Sequence, residues 1–272
     1  MEYRNLTGVP DFECREYEEK KTRYCICIPI INEYENIRLE LMRARMNKVH
    51  TLCDIIICDG GSADGSNDDD MLRSLGVNTL LIKKGPGRQG AQLRMGFYWA
   101  LKRGYEGIIT IDGNNKDSIE DVYRFVNKLD DGYDYVAGSR FIEGGQEINT
   151  PIVRHMAVKF IHSPITSLTA HERFTDTTNN FRGYSRKYLT HPEVLPFRDV
   201  FKGYELLAYL STRASQLGLR TCEVPVTRAY PNTGKTPTKI SPVKGNAQLM
   251  GILLANAAGR YNPRHRRERD RK

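Results

Sequence analysis

Polar side chains follow directly after several apolar, strand-like runs of this sequence. A single Asp in such a position is often only a loop cap, but several at one edge of a sheet indicate a site. If the runs are parallel strands, their carboxyl ends meet at the edge where ligands bind. The residues that we expect there are Asn32, Glu33, Asp59, Asp112 and Asn114.

Strand and helix patterns alternate through the first 140 residues, which predicts an α/β fold with a mostly parallel central sheet flanked by helices. The second half is less regular, and Pro225 predicts an edge or bulged position for its last strand. The predicted strands cover residues 24–31, 53–58, 79–82, 107–111, 133–137, 179–184 and 220–227. The predicted helices cover residues 34–49, 89–102, 117–129, 153–168, 204–216 and 242–258.

Several classes of protein are disfavoured by what the sequence lacks. It has no G-x-G-x-x-G after the first strand and no P-loop motif, which counts against a dinucleotide fold and a P-loop enzyme. Its six cysteines form no C-x-x-C pair and its six histidines no metal-binding spacing. The formal charge is +8, but residues 264–272 carry six cations and two anions, half of that excess. The remainder is too mildly basic for a nucleic-acid groove, so we expect no nucleic-acid partner.

The expected location follows from the absence of export and membrane signals. Residues 1–21 have no apolar core, and the longest apolar stretch, residues 249–258, is far shorter than the about 20 residues that cross a bilayer. Reduced, mostly buried thiols fit the cytoplasm. The C-terminal helix and the basic tail would suit peripheral contact with an anionic inner membrane face, and a solvated tail is the alternative.

Seven blocks in order resemble the family 2 glycosyltransferases with the GT-A fold. The later ones are most similar to the dolichol-phosphate-mannose-synthase-like branch, and the resemblance covers about residues 24–241. The blocks are CIPIINEYENI from residue 27, IIICDGGSADGS from 55, ITIDGNNKD from 109, YVAGSRF from 135, DTTNNFRGYSR from 176, GYELL from 203, and CEVPVTRAYPNTGK from 222 with the TPTKIS after it.

The resemblance implies an inverting glycosyltransferase that uses a UDP- or GDP-sugar with Mg²⁺ or Mn²⁺. The cation and basic side chains would stabilise the charge that develops on the leaving diphosphate. The family's D-x-D motif reads here as Asp112-Gly113-Asn114, so Asp112 and Asn114 are the implied metal ligands. Asp117 is a candidate partner of the metal site outside the direct ligands. Because one carboxylate is replaced by an amide, we expect weak metal binding before the donor arrives.

Further roles are implied by the same resemblance, including one for Arg88, which falls where the family has a basic residue after a Gly-rich turn. Gly60 stands where the family commonly has a second Asp, so a contact from that position is lost. The implied donor-nucleotide residues are Pro29, Asn32, Glu33, Asp59, Arg88, Asp112 and Gly113, with Asp59 accepting from the nucleobase. The implied phosphate or acceptor residues are Arg140, Arg182, Arg228 and Lys235, and Arg suits forked contacts with phosphate.

The acceptor is either a polyprenyl phosphate or a saccharide or other hydroxyl compound. A hydroxyl acceptor needs a carboxylate base, for which Glu205 is the first candidate and Asp176 the second, whereas a phosphate acceptor needs none. A nucleotidyltransferase that makes the activated sugar is a competing hypothesis, but it would carry a Gly-rich, basic loop where Ile31 to Tyr34 stand. A catalytically silent sugar- or nucleotide-binding module is the third, because of Gly60 and Asn114.

We predict one catalytic domain over residues 24–241, with a nucleotide-binding half at 24–140 and an acceptor half at 141–241. A charged lead-in covers residues 1–23, a C-terminal helix 242–263 and a basic tail 264–272. This organisation is compatible with an oligomer.

Overall fold

The computed structural model describes residues 6–231 and 244–263. Lys235, the TPTKIS block and the basic tail 264–272 lie outside the described residues, so the predictions made for them stay predictions.

The described chain contains an alternating α/β first half and a more helical second half. The strands are β1 (Phe12–Glu16), β2 (Tyr24–Ile30), β3 (Cys53–Asp59), β4 (Val77–Lys83), β5 (Gly107–Thr110), β6 (Tyr135–Ser139), β7 (Gln146–Ile148), β8 (Arg182–Ser185), β9 (Thr221–Pro225) and β10 (Thr227–Ala229). The helices are α1 (Tyr34–Met46), α2 (Asp69–Ser74), α3 (Gln89–Lys102), α4 (Val122–Asp130), α5 (Ile152–Ala157), α6 (Ser163–Ala170), α7 (Arg186–Leu189), α8 (Glu205–Gln216) and α9 (Lys244–Ala257). Two short 3₁₀ turns cover Val49–Thr51 and Ile119–Asp121.

Eight strands form one sheet in the order β1-β4-β3-β2-β5-β8-β6-β9. Six of them run in the same direction, while β1 and β8 are antiparallel to their neighbours. The predicted α/β fold with a mostly parallel central sheet is therefore confirmed. Strand β9 lies at the edge of the sheet, as Pro225 indicated.

Helices cover both faces of the sheet because β2 and β3 are apolar on both sides. Alternate residues of β2 point to opposite faces: Cys25 and Cys27 pack under α3 and α8, and Ile26 and Ile28 pack under α1 and α4. The chain thus has two cores separated by one sheet, and the carboxyl ends of its strands remain free to carry a site.

Some elements differ from the sequence prediction. Strand β1 was not predicted, because its sequence FECRE reads as part of a charged lead-in and its pairing with β4 spans about 70 residues. The predicted helix over residues 153–168 is two helices, α5 and α6, joined by a π-helical segment at Val158–His162. The predicted helix at 117–129 begins with a 3₁₀ turn and becomes α-helical only at Val122.

A second, two-stranded sheet joins β7 and β10 in parallel register. It lies beside the carboxyl end of β5, because an isolated bridge connects Asp117 with Arg228 of β10. Among residues 6–231 and 244–263, no helix is long and apolar enough to cross a membrane.

Candidate functional site

The loops after β2 and β3 are fastened to each other at the carboxyl edge of the sheet. Asn32 N–H donates to Ser62 Oγ at 2.9 Å, and Ala63 N–H donates to Asn32 Oδ1 at 2.9 Å. Glu33 N–H donates to Ser66 Oγ at 2.9 Å. Asn32 has a φ of 50°, in the left-handed region that Asn tolerates better than most residues. The loop that carries Asn32 and Glu33 is therefore held against the loop that follows Asp59.

Asp59 shapes the loop that follows β3. Its side chain is fully buried, and its carboxylate accepts from the backbone N–H groups of Gly61 and Ser62 at 3.0 Å. The Ser62 hydroxyl at 2.5 Å and the Asn67 amide at 3.2 Å donate to it as well. With both oxygens engaged in the turn, Asp59 supports the loop, and this argues against the predicted bond to a nucleobase.

Asp112 lies beyond the end of β5 with its side chain partly open to solvent. Gln89 Nε2 donates to Asp112 Oδ1 at 2.8 Å, and Arg228 Nη2 lies 3.7 Å from Asp112 Oδ2. Asn114 Oδ1 accepts from the Lys116 N–H at 3.3 Å. Gly113 fits tightly here, since a Cβ at this position would lie 2.5 Å from Ile30 Cγ2.

Three cationic side chains surround the phenol of Tyr230, and we call Lys116, Arg154 and Arg228 the basic cluster. Arg154 Nη1 lies 2.9 Å and Arg228 Nε 3.3 Å from Tyr230 Oη, which accepts from both. The Lys116 Nζ lies 5.5 Å from the centre of the same ring. Arg228 also forms a buried ion pair with Asp117. The basic cluster therefore adjoins the D-x-N motif.

The electrostatics of the basic cluster show crowded positive charge. Burial lowers the pKa of the Lys116 ammonium, and repulsion from Arg228 and Arg154 lowers it further. Burial would raise the pKa of the Tyr230 phenol, but Arg228 and Arg154 outweigh it and hold that pKa below its ordinary value. A bound anion would offset the repulsion between Lys116, Arg154 and Arg228, of which Arg228 is already compensated by Asp117 and Asp112.

Short strands and one helix position the basic cluster. The pairing of β10 with β7 fixes Arg228 and Tyr230, and Tyr230 N–H donates to Ile148 O at 2.9 Å. Helix α5 follows β7 and supplies Arg154.

Burial raises the pKa of the Asp117 carboxyl, although the Arg228 guanidinium acts against it. Asp117 Oδ1 has no hydrogen-bond partner within the described chain.

Arg140 and Asp176 form a buried, two-pronged ion pair. Arg140 Nε donates to Asp176 Oδ2 at 2.6 Å, and Arg140 Nη2 donates to Asp176 Oδ1 at 3.0 Å. Burial would raise the pKa of Asp176, but the Arg140 guanidinium holds it below its usual value. This pairing turns the Asp176 carboxylate towards Arg140 and occupies two donor groups of Arg140. It gives both residues a structural contact, and their predicted roles as base and phosphate ligand stay predictions.

Arg182, also predicted to contact phosphate, lies in the core at the start of β8. Its guanidinium donates to the carbonyls of Asn179 at 3.0 Å, Leu207 at 2.8 Å and Thr177 at 2.8 Å, and to the Ser211 hydroxyl. The side chain therefore fastens α8 to β8, and the structure replaces its predicted ligand role with a structural one.

Glu205 begins α8, where its carboxylate accepts from the Gly203 N–H. Tyr204, immediately before it, lies within electrostatic range of Asp112 and Arg88: burial raises the pKa of its phenol, Asp112 raises it further, and Arg88 acts in the opposite direction. Arg88 itself is exposed, and its backbone N–H donates to Lys202 O at 3.0 Å. Tyr204 and Arg88 thus flank the Asp112 region, while the Glu205 carboxylate is turned to the Gly203 N–H, and its predicted role as a base stays a prediction.

Sequence reasoning missed several residues of this site. Lys116 and Tyr230 belong to blocks that carry the family resemblance, but no role was predicted for them. Their closeness in sequence to Asp112 and Arg228 could have indicated that they belong to the site. Arg154 had no such signal, because it is one cation in a helix without a motif. Gln89 and Tyr204 complete the set by their proximity to Asp112.

The oxygen atoms of Asp112 and Asn114 suit a divalent cation that takes its other ligands from phosphate and water. Among the described residues, no three His, Cys, Asp or Glu side chains form a metal-binding group. Asp112 and Asn114 would supply two oxygens, and Mg²⁺ is commonly held by one or two carboxylates together with phosphate oxygens and water.

Comparison with known proteins agrees with this geometry. The sequence model of "Glycosyl transferase family 2" matches residues 25–201. The chain belongs to this family. It is therefore a glycosyltransferase, and the sequence-based identification of the family is confirmed.

Two similar sequences and one similar solved structure accompany this family assignment. Polyprenol monophosphomannose synthase of Mycolicibacterium smegmatis is 29% identical over 217 residues, covering 75% of this chain and 77% of the relative. Undecaprenyl-phosphate mannosyltransferase of Micrococcus luteus is 29% identical over 208 residues, covering 75% and 83%. The structure of glucosyl-3-phosphoglycerate synthase from Mycobacterium tuberculosis, in complex with Mn²⁺, UDP and glucosyl-3-phosphoglycerate, has a TM-score of 0.61 at 16% identity, covering 89% of this chain and 81% of that one. The GT-A fold is thus confirmed.

Proposed function

We propose that this chain transfers a sugar from a nucleoside-diphosphate sugar to an acceptor that carries a phosphate, and that the acceptor is a polyprenyl phosphate. The observation that carries the proposal is the basic cluster around Tyr230. Two of its three cations, Arg154 and Arg228, share one phenol oxygen, and Arg228 also reaches towards Asp112. A phosphate bound there would lie beside the D-x-N motif, at the point where the donor diphosphate is expected.

The lipid part of the proposal is supported by the two mannosyltransferases that resemble this chain over three quarters of its length. Their names describe transfer to, or synthesis of, polyprenyl phosphate sugars. The cluster itself supports only the phosphate, because guanidinium groups bind phosphate oxygens whatever they are attached to.

The reaction requires no base if the nucleophile is a phosphate oxygen. That oxygen forms a bond with the anomeric carbon while the bond from this carbon to the donor diphosphate breaks, and the leaving diphosphate takes the electron pair. The basic cluster would hold the attacking phosphate, and Asp112 and Asn114 would hold Mg²⁺ or Mn²⁺ on the diphosphate. The loops after β2 and β3 would enclose the UDP or GDP moiety.

A hydroxyl acceptor is the second candidate, because Glu205 lies partly exposed at the start of α8 next to Tyr204. In that reaction Glu205 would remove the hydroxyl proton. The two candidates separate cleanly: Glu205→Gln would abolish transfer to a hydroxyl and leave transfer to a lipid phosphate intact.

The acceptor test compares undecaprenyl phosphate with undecaprenol, which differ only in the phosphate. Purified protein is incubated with radiolabelled GDP-mannose or UDP-glucose and Mn²⁺, and the label in the organic phase is counted. We expect transfer to the phosphate alone. Equal transfer to undecaprenol would contradict the proposal, and so would a lack of transfer from every nucleotide sugar of a wider screen.

The role of the cluster is tested with Arg154→Gln. A hydrogen bond to a charged group contributes about 1.5–3 kcal/mol, so the KM for the lipid phosphate should rise about 10- to 100-fold. Arg124→Gln is the matched control, because Arg124 of α4 pairs with Asp121 outside the site. An unchanged KM in Arg154→Gln would remove the cluster from acceptor binding.

The metal role is tested with Asp112→Ala. We expect kcat to fall at least about 100-fold, because charge on the leaving group loses its stabilisation. Asp70→Ala, at an exposed position of α2, should leave kcat unchanged. Activity that survives both Asp112→Ala and treatment with EDTA would refute metal assistance.

A further inference from the structure

Residues 6–11 are fastened to a loop that flanks the candidate site, and we call them the N-terminal segment. The Asp11 carbonyl accepts from the N–H groups of Lys84 and Gly85, at 2.8 Å and 3.3 Å. These two residues belong to the loop between β4 and α3. The last residue of that loop is Arg88, so the N-terminal segment is bonded to the loop that carries Arg88 to the site.

The same segment also fits closely against the stretch that precedes α8. Gly8 is buried, and its N–H donates to Phe197 O at 2.7 Å. A Cβ on Gly8 would lie 2.4 Å from Arg198 C and 2.6 Å from Asp199 N, so this approach requires a glycine. Tyr204 stands at the end of that stretch, and the N-terminal segment therefore contacts both parts of the chain that flank the site.

Arg94 of α3 connects this helix to the N-terminal segment. Its side chain is 4% exposed, and its Nε donates to Gly8 O. Burial lowers the pKa of the guanidinium to about 10, while the charges of Asp199 and Glu205 act in the opposite direction. Nη1 has no hydrogen-bond partner within the described chain. Because a buried charge with an unused donor is costly, stability alone explains this contact poorly.

We propose that Arg94 is a positioning residue for sugar transfer, which acts through the N-terminal segment on the two loops beside Asp112. The Arg88 N–H bond to Lys202 O joins these loops at 3.0 Å. Displacement of Gly8 would shift both of them relative to Asp112. Since a misplacement of about 1 Å can cost about 100-fold in rate, the shift should be visible in kcat.

The N-terminal segment precedes residues 25–201, the part of the chain that the family model matches. In the sequence it belongs to the charged lead-in, residues 1–23, outside the predicted catalytic domain. Its bonds to the loops on both sides make it a part of the catalytic unit. This role rests on sugar transfer as the activity, as the proposed function does, but it is independent of which acceptor receives the sugar.

Initial rates of full-chain variants test the role of Arg94. Arg94→Met removes the donor to Gly8 and keeps an unbranched side chain, whereas Arg94→Lys keeps a donor and the charge. Rates are taken with the nucleotide sugar that the wild type turns over, by transfer or by slow hydrolysis. We expect kcat to fall about 10- to 100-fold in Arg94→Met and less in Arg94→Lys. The KM for the nucleotide sugar should change less than kcat does, because the loops after β2 and β3 are fastened to each other.

Arg186→Met is the matched control for a general loss of stability. The Arg186 guanidinium also donates to backbone carbonyls, those of Leu101 at 2.9 Å and Tyr105 at 3.2 Å, at the opposite end of α3. We expect this variant to lower the Tm and to leave kcat unchanged below the unfolding transition. An equal fall of kcat in Arg186→Met and Arg94→Met would overturn the proposal.

Gly8→Ala perturbs the same contact from the other side and keeps Arg94, so the proposal stays testable if Arg94→Met does not fold. Hydrogen exchange followed by mass spectrometry measures the effect without any substrate. We expect exchange to become about tenfold faster in the peptides that contain Gly85 and Arg88, and to stay unchanged around Leu101. Combining Gly8→Ala with Arg94→Lys should lower kcat by less than the product of the two separate effects, because both act on one contact.

Two results would contradict the positioning role. Unchanged exchange in both Arg94→Met and Gly8→Ala would show that the N-terminal segment does not hold the loops, whatever the acceptor is. Faster exchange with an unchanged kcat would show that it holds them without any effect on the reaction. Because the exchange experiment contains neither sugar nor lipid, a failure of the polyprenyl phosphate as acceptor would leave its outcome unaffected.

Discussion

At the scale of single residues, the Arg140–Asp176 pair fastens the end of β6 to the segment before β8. Glu223 of β9 extends the network, since its carboxylate accepts from Thr175 N–H at 2.8 Å and from Asp176 N–H at 3.2 Å. Both members of the ion pair are shielded from water. Removal of one charge therefore leaves the other buried without compensation.

Asp176→Asn should destabilise the protein by about 3–5 kcal/mol, because the Arg140 charge would remain buried and unpaired. Denaturant unfolding measures this loss. Asp131→Asn is the control, since its pair with Lys128 lies at the surface and such pairs contribute only about 0–1 kcal/mol. A variant that keeps its full stability and yet loses all transfer would instead return Asp176 to the catalytic machinery.

Glu40 of α1 supports the turn that follows the D-x-N motif. Its Oε2 accepts from the Asn115 N–H at 2.9 Å, and Asn115 has a φ of 56°. The side chain is fully buried, and Oε1 has no hydrogen-bond partner within the described chain. Burial raises the pKa of this carboxyl well above its ordinary value, and the nearby Asp117 raises it further.

Glu40→Gln should therefore change how stability depends on pH. A carboxyl with a raised folded-state pKa contributes stability that is fully present below its unfolded pKa and is lost as the pH rises through the folded pKa. The neutral glutamine lacks this loss. Urea unfolding from about pH 5 to about pH 9 should show wild-type stability falling relative to the variant. Parallel curves would mean that Glu40 does not bind a proton on folding in this range.

At the scale of elements, the start of α3 lies against the backbone that leads into α8. A Cβ on Gly90 would lie 2.5 Å from Gly203 O and 2.7 Å from Phe201 O. The Arg88 N–H bond to Lys202 O fixes the same junction. The two helices that carry Gln89 and Glu205 therefore depend on one close backbone contact.

Gly90→Ala should lower both stability and kcat, because the methyl group displaces the segment that positions Tyr204 and Glu205. Gly251→Ala is the control: it lies in α9 with no atom within 4 Å of its added Cβ, so it should stabilise the protein by about 0.5–1 kcal/mol. Thermal unfolding and initial rates measure both variants. If the two substitutions have equal effects, the contact does not constrain the site.

The elements that the sequence predicted well are those with local signals. Helix α3 has the predicted bounds, and β2 and β3 differ by one residue because their buried, β-branched runs leave little choice. Strand β8 begins three residues and ends one residue later than predicted, since its antiparallel place between β5 and β6 depends on partners distant in sequence. Strand β1 contains charged residues of both signs, so its sequence does not indicate a strand, and its extended conformation depends on the pairing with β4.

At the scale of the whole molecule, the site residues that could be predicted are those that belong to a recognisable block. Asp112 and Arg228 belong to recognisable blocks, and the fold brings them within 3.7 Å. Arg154 joins them only through the pairing of β7 with β10, which no local pattern indicates. The burial of Arg140 and Arg182 was equally hidden, because a sequence shows a cation but not the depth at which it lies.

Binding of the donor nucleotide should stabilise the entire chain. A ligand at about 100 times its Kd adds about 2.7 kcal/mol, which corresponds to a rise in Tm of about 5–10 °C for a protein of this size. Thermal shifts with GDP and UDP, each with and without Mn²⁺, measure this effect. We expect the Mn²⁺-dependent part to vanish in Asp112→Ala. The absence of a shift with either nucleotide would contradict a nucleotide-sugar donor.

The π-helical segment Val158–His162 sets the rotational phase between α5 and α6. A π turn amounts to one residue inserted into an α-helix, and each residue turns the helix by about 100°. The insertion therefore rotates α5 about its axis relative to an uninterrupted helix. Loss of one residue here would turn Arg154 away from Tyr230 and move Ile152 and Val153 off the exposed side together. The number of residues in this segment, rather than their identity, thus directs Arg154 to Tyr230 and at the same time leaves Ile152 and Val153 exposed.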